Sequence, residues 1–219
     1  MIHINTLSFL GKLKKNNNRD WFDKHKDEYL AAKENVDEAV GVLLEELFKF
    51  DKELKGLEVK NCVFRIYRDV RFSKDKKPYK TNMGASMSPG GKKSNLSGYY
   101  LHIEPGGSFI AGGMWMPAGE DLKKIRQEID YNGKAFRKIL NNKTFKSYYG
   151  NLDQTYRLKT TPKGYNADHP EIDLLRLTSF VVWHQFSDSM ISSSKFRKEF
   201  VNGARIMKPF IDFFRTAVS

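Results

Sequence analysis

The stretch Tyr99–Met116, Y-Y-L-H-I-E-P-G-G-S-F-I-A-G-G-M-W-M, opens with a period of two. Successive side chains of a strand point to opposite faces. Tyr99, Leu101 and Ile103 therefore share one face, and Tyr100, His102 and Glu104 the other. Pro105-Gly106-Gly107 supplies a turn, and Phe109 to Met116 returns as a second strand. Two strands joined by so short a turn pair antiparallel, because a parallel pair needs a long crossover. Gly112-Gly113 lies in the returning strand, and two adjacent glycines weaken it. Either a bulge sits there, another group approaches the backbone closely, or a flat ligand lies over the sheet.

Working outward, Phe64 to Phe72 also alternates. Phe64, Ile66, Val70 and Phe72 fall on one face with Arg68 among them, and Arg65, Tyr67, Asp69 and Arg71 on the other. Ser73 to Asn82 reads as a loop, because Pro78 forbids a central strand position. Met83 to Met87 reads as a short strand. Leu177 to Phe186, L-T-S-F-V-V-W-H-Q-F, is β-branched and aromatic and reads as another, as does Tyr156 to Thr160.

Before the sheet, Leu7, Leu10 and Leu13 fit a short helix. A long one is expected from Asn18 or Asp20 to about Phe50, where Phe22, Tyr29, Val36, Leu43 and Phe50 recur every seven residues. Helices are expected over 119–129 and 133–140, in a short turn at 144–149, and from Ser194 to Ala217, with Pro209 as a kink point. The expected fold is α+β in one domain: helical over 1–55, a sheet core over 59–117, helices over 119–150, and a strand and closing helix over 156–217. The sheet is expected to be mainly antiparallel with about five or six strands, packed on these helices.

The chain has 219 residues, enough to bury a core without staples. Its formal charge of +12 favours polyanionic partners, while scattered lysines also serve solubility. One cysteine, Cys62, excludes an internal disulfide and a multi-cysteine zinc site, and reads as a buried structural thiol. The first residues lack a basic n-region and a cleavage site, and no apolar run is long enough to span a bilayer, so a cytoplasmic location and no membrane partner are expected.

The candidate chemistry concentrates in Phe64–Asn82, where seven basic residues meet two acidic ones. Guanidinium groups match carboxylate or phosphate with a fork of donors. Arg65, Arg68 and Arg71 would anchor an anion, with Lys76 and Lys80 closing over it. Ser73 belongs to the same stretch, and Tyr79 and Trp183 would line the wall. If the site is catalytic, His102 or Asp69 supplies proton transfer. Against this stands a structural reading, in which Asp69 pairs with flanking arginines on a solvated face. His25, His102, His169 and His184 would have to converge to bind a metal, and no pair has the spacing of a metal motif, so neither metal nor cofactor is expected. Lys74, Lys76, Lys77, Lys80, Lys92 and Lys93 form a basic rim if their loops are neighbours, with Tyr99 and Tyr100 to stack bases; this is the nucleic-acid alternative. No dinucleotide fingerprint, Walker loop, nucleophile elbow, helix-turn-helix or zinc finger is present.

Five segments together resemble a bacterial and fungal family known as domain of unknown function 2461. They are F-L-G-K-L-K-K-N-N-N-R-D-W-F-D-K-H-K-D-E-Y at Phe9–Tyr29, R-D-V-R-F-S-K-D-K-K-P-Y-K-T-N at Arg68–Asn82, G-Y-Y-L-H-I at Gly98–Ile103, A-G-G-M-W-M-P at Ala111–Pro117 and P-K-G-Y-N-A-D-H-P at Pro162–Pro170. The resemblance implies no activity. It marks Arg68, Asp69, Arg71, Ser73, Lys76, Tyr79 and Lys80 as a hallmark stretch. Three functions are therefore set side by side: an anion-binding protein with a basic, aromatic-lined site, a nucleic-acid module, and an interaction domain with internally paired charges.

Overall fold

The Tyr99–Met116 stretch folds as the hairpin its alternation implies, in a computed structural model that describes residues 1–219. Strand β2 (Gly98–Ile103) pairs antiparallel with β3 (Ser108–Met114), from Gly98 opposite Gly113 to His102 opposite Phe109. Strand β1 (Met83–Met87) pairs with β2 on one side, and β4 (Phe180–Phe186) with β3 on the other. The sheet is four-stranded and antiparallel in the order β1-β2-β3-β4.

Four strands, rather than five or six, follow from two segments that alternate without building a ladder. Val63–Phe72 makes only single bridges, Val63 to Ala85 and Tyr67 to Tyr79, with Arg68 N–H donating to the Pro78 carbonyl. Tyr156–Thr160 makes one bridge, Arg157 to Leu177. Val59–Cys62 is a helical turn, α4.

The N-terminal helices are α1 (Ile4–Lys15), α2 (Arg19–Lys24) and α3 (Lys26–Phe48). The long helix expected from Asn18 is broken at His25, which leaves helical geometry at φ −115°, ψ 25°. Its ring stacks on Trp21 at 4.0 Å and its Nδ1 lies 2.8 Å from the Trp21 carbonyl. The chain then continues through α5 (Gly119–Leu140), α6 (Lys143–Tyr149), α7 (Ile172–Leu175), α8 (Asp188–Ile191) and α9 (Phe196–Val218). The two helices expected over 119–140 are one run interrupted at Asn132. Helix α9 runs on through Pro209, which cannot donate to the Arg205 carbonyl one turn back.

The sheet has two unlike faces. Tyr99, Leu101, Ile103, Ile110, Phe180, Val182 and Phe186 point inward and are fully or almost fully buried. Met207, Phe210, Ile211 and Phe214 of α9 belong to the same core, a single cluster that runs from Ile2 to Phe214. Gly112 explains part of the glycine pair: its pairing with Tyr99 and Val182 is unbroken, but a Cβ there would overlap Met207 Sδ and lie 2.8 Å from the Gly98 carbonyl oxygen. Close approach of α9 requires the glycine. Tyr100, His102, Phe109, Ala111, Trp183 and Gln185 occupy the outer face, which no helix covers to the same depth. No helix is long and apolar enough to cross a membrane.

Candidate functional site

The outer face of the sheet forms the floor of a cleft of about 840 Å³, within the usual range for a small-ligand site. Tyr100, His102, Phe109, Ala111 and Trp183 line the floor, and Phe64 lies against the Tyr100 ring edge at 6.4 Å. Ser94–Leu96 and Trp115–Ala118 flank it, and Asp153 joins from the loop beside β4. Trp183 is 51% exposed and Trp115 60%, so both indoles are partly open to solvent at one groove. Trp115 precedes Met116, which sits at φ +43°, a left-handed conformation uncommon for a side chain this long. The Ser179 hydroxyl holds that turn, accepting from Met116 N–H at 3.2 Å and donating to the Met114 carbonyl at 3.3 Å.

One edge of the floor is polar. The Tyr100 hydroxyl lies 3.0 Å from Nδ1 of His102, and Nε2 of His102 lies 3.4 Å from Glu104 Oε2. The other Glu104 oxygen accepts from Lys14 Nζ at 3.2 Å and from the Thr81 hydroxyl at 3.5 Å. The imidazole stacks on Phe109 at 4.6 Å and 8°. Burial lowers the His102 pKa, against an opposing pull from Glu104, which favours the neutral ring. Burial pushes the Tyr100 phenol up to about 12. The same-face alternation of Tyr100, His102 and Glu104 was legible in sequence; the role of Gly84 was not. Gly84 sits opposite His102 on β1, and a Cβ there would meet the Tyr100 oxygen at 2.5 Å. The bare backbone makes the berth for that hydroxyl.

The hallmark stretch is a hairpin loop stitched to itself. Arg68 donates to Asp75 at 2.7 Å, to the Lys77 carbonyl at 3.0 Å and to Ser73 Oγ at 3.5 Å. Arg71 forms a fork to Asp69 at 3.0 and 2.7 Å. This pairing lowers the Asp69 pKa and raises that of Arg71. Lys76 donates to the Val70 carbonyl at 3.1 Å. Tyr79 is buried, stacked on Phe22 at 3.9 Å, and the Asn17 amide grips its backbone, donating to the Tyr79 carbonyl at 3.0 Å and accepting from its N–H at 3.1 Å. The Asp69–Arg71 pair is exposed to solvent, where screening leaves such pairs little net effect. Arg71→Ala is therefore expected to shift the melting temperature by less than about 2 °C, measured by circular dichroism.

Among the candidate residues, then, the cleft brings together His102 and Trp183. Lys80 stands at its edge, with its ammonium 5.2 Å over the ring of Phe64. Burial lowers the Lys80 pKa, and the neighbouring Arg65 charge lowers it further. No carboxylate contributes to the Lys80 shift, whereas the Arg65 charge also acts on Asp69. Arg68, Asp69, Arg71, Ser73 and Lys76 make their contacts within the loop and do not line the cleft. Tyr99, offered as a base-stacking residue, faces the core and is fully buried. Lys92 is tied to the Lys60 and Val63 carbonyls at 2.8 and 2.6 Å.

The other histidines do not converge. His184 faces inward, stacked on Tyr148 at 4.0 Å with Nδ1 2.9 Å from its carbonyl, and His169 meets Asp130 at 2.9 Å. No three His, Cys, Asp or Glu side chains cluster to hold a metal ion. Cys62 is buried and its thiol is pushed up to about 11, so it is inert at neutral pH.

These features define an α+β protein with one face of a four-stranded antiparallel sheet buried under helices and the other left as an aromatic cleft. The chain belongs to the family described as Conserved hypothetical protein (DUF2461), whose pattern matches residues 5–213. Nothing among curated proteins or solved structures matches it.

Proposed function

We propose that this protein binds a small organic anion whose flat, apolar body lies on the outer face of the sheet and whose charged group reaches Lys80 and Arg65. The observation that carries the reading is an open aromatic floor with Phe64 in its wall and the Lys80 ammonium over that ring, without a carboxylate partner of its own. Aromatic walls with a few placed polar groups are what a ligand cleft of this size needs. An ammonium already partly desolvated loses less hydration when an anion arrives, which favours pairing there over the solvated lysines of the loop.

The reading is tested by thermal shift on the wild-type protein, Lys80→Ala and Trp183→Ala. The probes are aryl carboxylates, nucleotides, sugar phosphates and short oligonucleotides, each at low and moderate salt. A ligand at about 100 times its dissociation constant adds roughly 2.7 kcal/mol, which is readily visible. Aryl carboxylates or nucleotides are expected to stabilise the wild type, and sugar phosphates to do so far less. Trp183→Ala is expected to weaken the responding probe about tenfold or more, since stacking on an aromatic face contributes ~1–3 kcal/mol. A flat panel, or a response that Trp183→Ala retains in full, would sink the reading. It would favour the interaction domain, whose charges pair internally as Arg68 and Arg71 do.

A further inference from the structure

The geometry points to Tyr100 as a general base at the cleft, passing a proton from the bound ligand to His102, with Glu104 holding the imidazole. This adds an activity, proton abstraction, to the binding proposed above and rests on the cleft being the ligand site.

The assignment follows from which atoms are free. Both nitrogens of His102 are engaged, Nδ1 with Tyr100 and Nε2 with Glu104, and one ring face is covered by Phe109. A ligand therefore has no open imidazole nitrogen to meet. The Tyr100 oxygen has a second acceptor position and belongs to a residue that lines the cleft. A carboxylate only accepts, so with Glu104 as its partner Nε2 carries the imidazole proton, Nδ1 is the bare acceptor, and the Tyr100 O–H donates to it. Gly84 keeps this geometry, because a side chain there would push the hydroxyl off Nδ1.

In the step, the ligand's X–H bond breaks and its electron pair stays on X. The proton forms a new O–H bond on Tyr100 while the proton Tyr100 carried moves to Nδ1. The product is a ligand anion and an imidazolium beside the Glu104 carboxylate. No electrons are exchanged between groups, and no free tyrosinate forms. Lys80, over the Phe64 ring that packs on Tyr100, is the nearby cation available to the new anion.

An aryl fluorosulfate tests the relay on the full chain. Its sulfur takes a tyrosine oxygen when a neighbouring base removes the phenolic proton: the O–S bond forms, the S–F bond breaks, fluoride leaves, and His102 takes the proton. One adduct is expected at Tyr100 by peptide mapping, absent in Tyr100→Phe. The rate is expected to fall about tenfold or more in His102→Gln and in Gly84→Ala. Glu104→Gln keeps an acceptor for Nε2 but removes the charge that steadies the imidazolium, and is expected to slow labelling by a smaller factor; it decides the matter if His102→Gln fails to fold. Nitrogen-15 spectra of the native protein are expected to show His102 as the Nε2–H tautomer. No adduct at Tyr100, undiminished labelling in His102→Gln or Glu104→Gln, or the Nδ1–H tautomer overturns the relay. A relay that passes beside a flat ligand panel keeps Tyr100 and discards the proposed ligand class. A responsive panel with Tyr100 inert does the reverse.

Discussion

Gly113→Ala is expected to lower the melting temperature by roughly 10 °C, from a loss of about 4 kcal/mol. Gly113 has φ +119°, where an L side chain is strained. A Cβ at that position would overlap the Phe180 carbonyl oxygen and lie 2.8 Å from the Phe210 ring. The carbonyl cannot retreat, because Gly113 pairs with Val181 and Met114 with Phe180 in the ladder joining β3 to β4. Backbone strain and overpacking each cost about 1–3 kcal/mol, and both apply at one atom. The check is a thermal melt by circular dichroism alongside Gly119→Ala, whose Cβ would meet nothing within 4 Å. Equal melting temperatures for the two variants would mean that β4 yields freely at this point.

Arg215→Met is the second large effect, with an expected loss of about 3–5 kcal/mol and a comparable fall in melting temperature. Asp51 is fully buried, and Arg215 Nη1 donates to it at 2.8 Å. Arg215 Nε also donates to the Ser97 carbonyl at 2.9 Å, so one guanidinium ties the end of α9 to the turn after α3 and to the entry of β2. Lys208 also lies within ion-pair distance of Asp51, at 3.9 Å, but its ammonium is hydrogen-bonded to Asp212. Removing the guanidinium strands a carboxylate in the core, which costs far more than the pair contributes. The double variant Asp51→Leu/Arg215→Met is expected to recover much of the loss, since no buried charge then remains. A double variant as unstable as the single one would show that packing of the arginine stem, not its charge, is what matters. Urea melts of the three proteins decide it.

The hairpin, the Phe180–Phe186 strand and α9 were legible because each repeats its period over enough residues to fix a face. Phe64–Phe72 carries the same alternation yet makes no ladder. Arg68 explains this: its guanidinium turns into the loop to satisfy Asp75 and the Lys77 carbonyl, and Pro78 leaves the returning arm short of a donor. Alternation records which side chains share a face, not whether a second strand lies beside them. The cleft was half legible for a similar reason. His102 stood out by its flanking Tyr100 and Glu104, and Trp183 by its place in β4. Which sheet face the helices would leave bare depends on α9, encoded some way beyond, and on the loops carrying Leu96, Trp115 and Asp153. The dense charge of the hallmark stretch was the loudest signal, and most of it is used to hold that loop in shape.

The order β1-β2-β3-β4 also sets a schedule on the ribosome. β1, β2 and β3 are nearest neighbours along the chain, but the partner for the free edge of β3 does not exist until Phe180–Phe186 has been made. At about 5–20 residues per second, that edge waits several seconds for β4, and the apolar inner face waits longer for α9. An unpaired strand edge beside bare apolar surface is the kind of nascent chain that chaperones hold. A chain stopped at Ser179 is expected to bind a hydrophobic dye that the full chain excludes, and the absence of that difference would mean the first three strands shelter themselves.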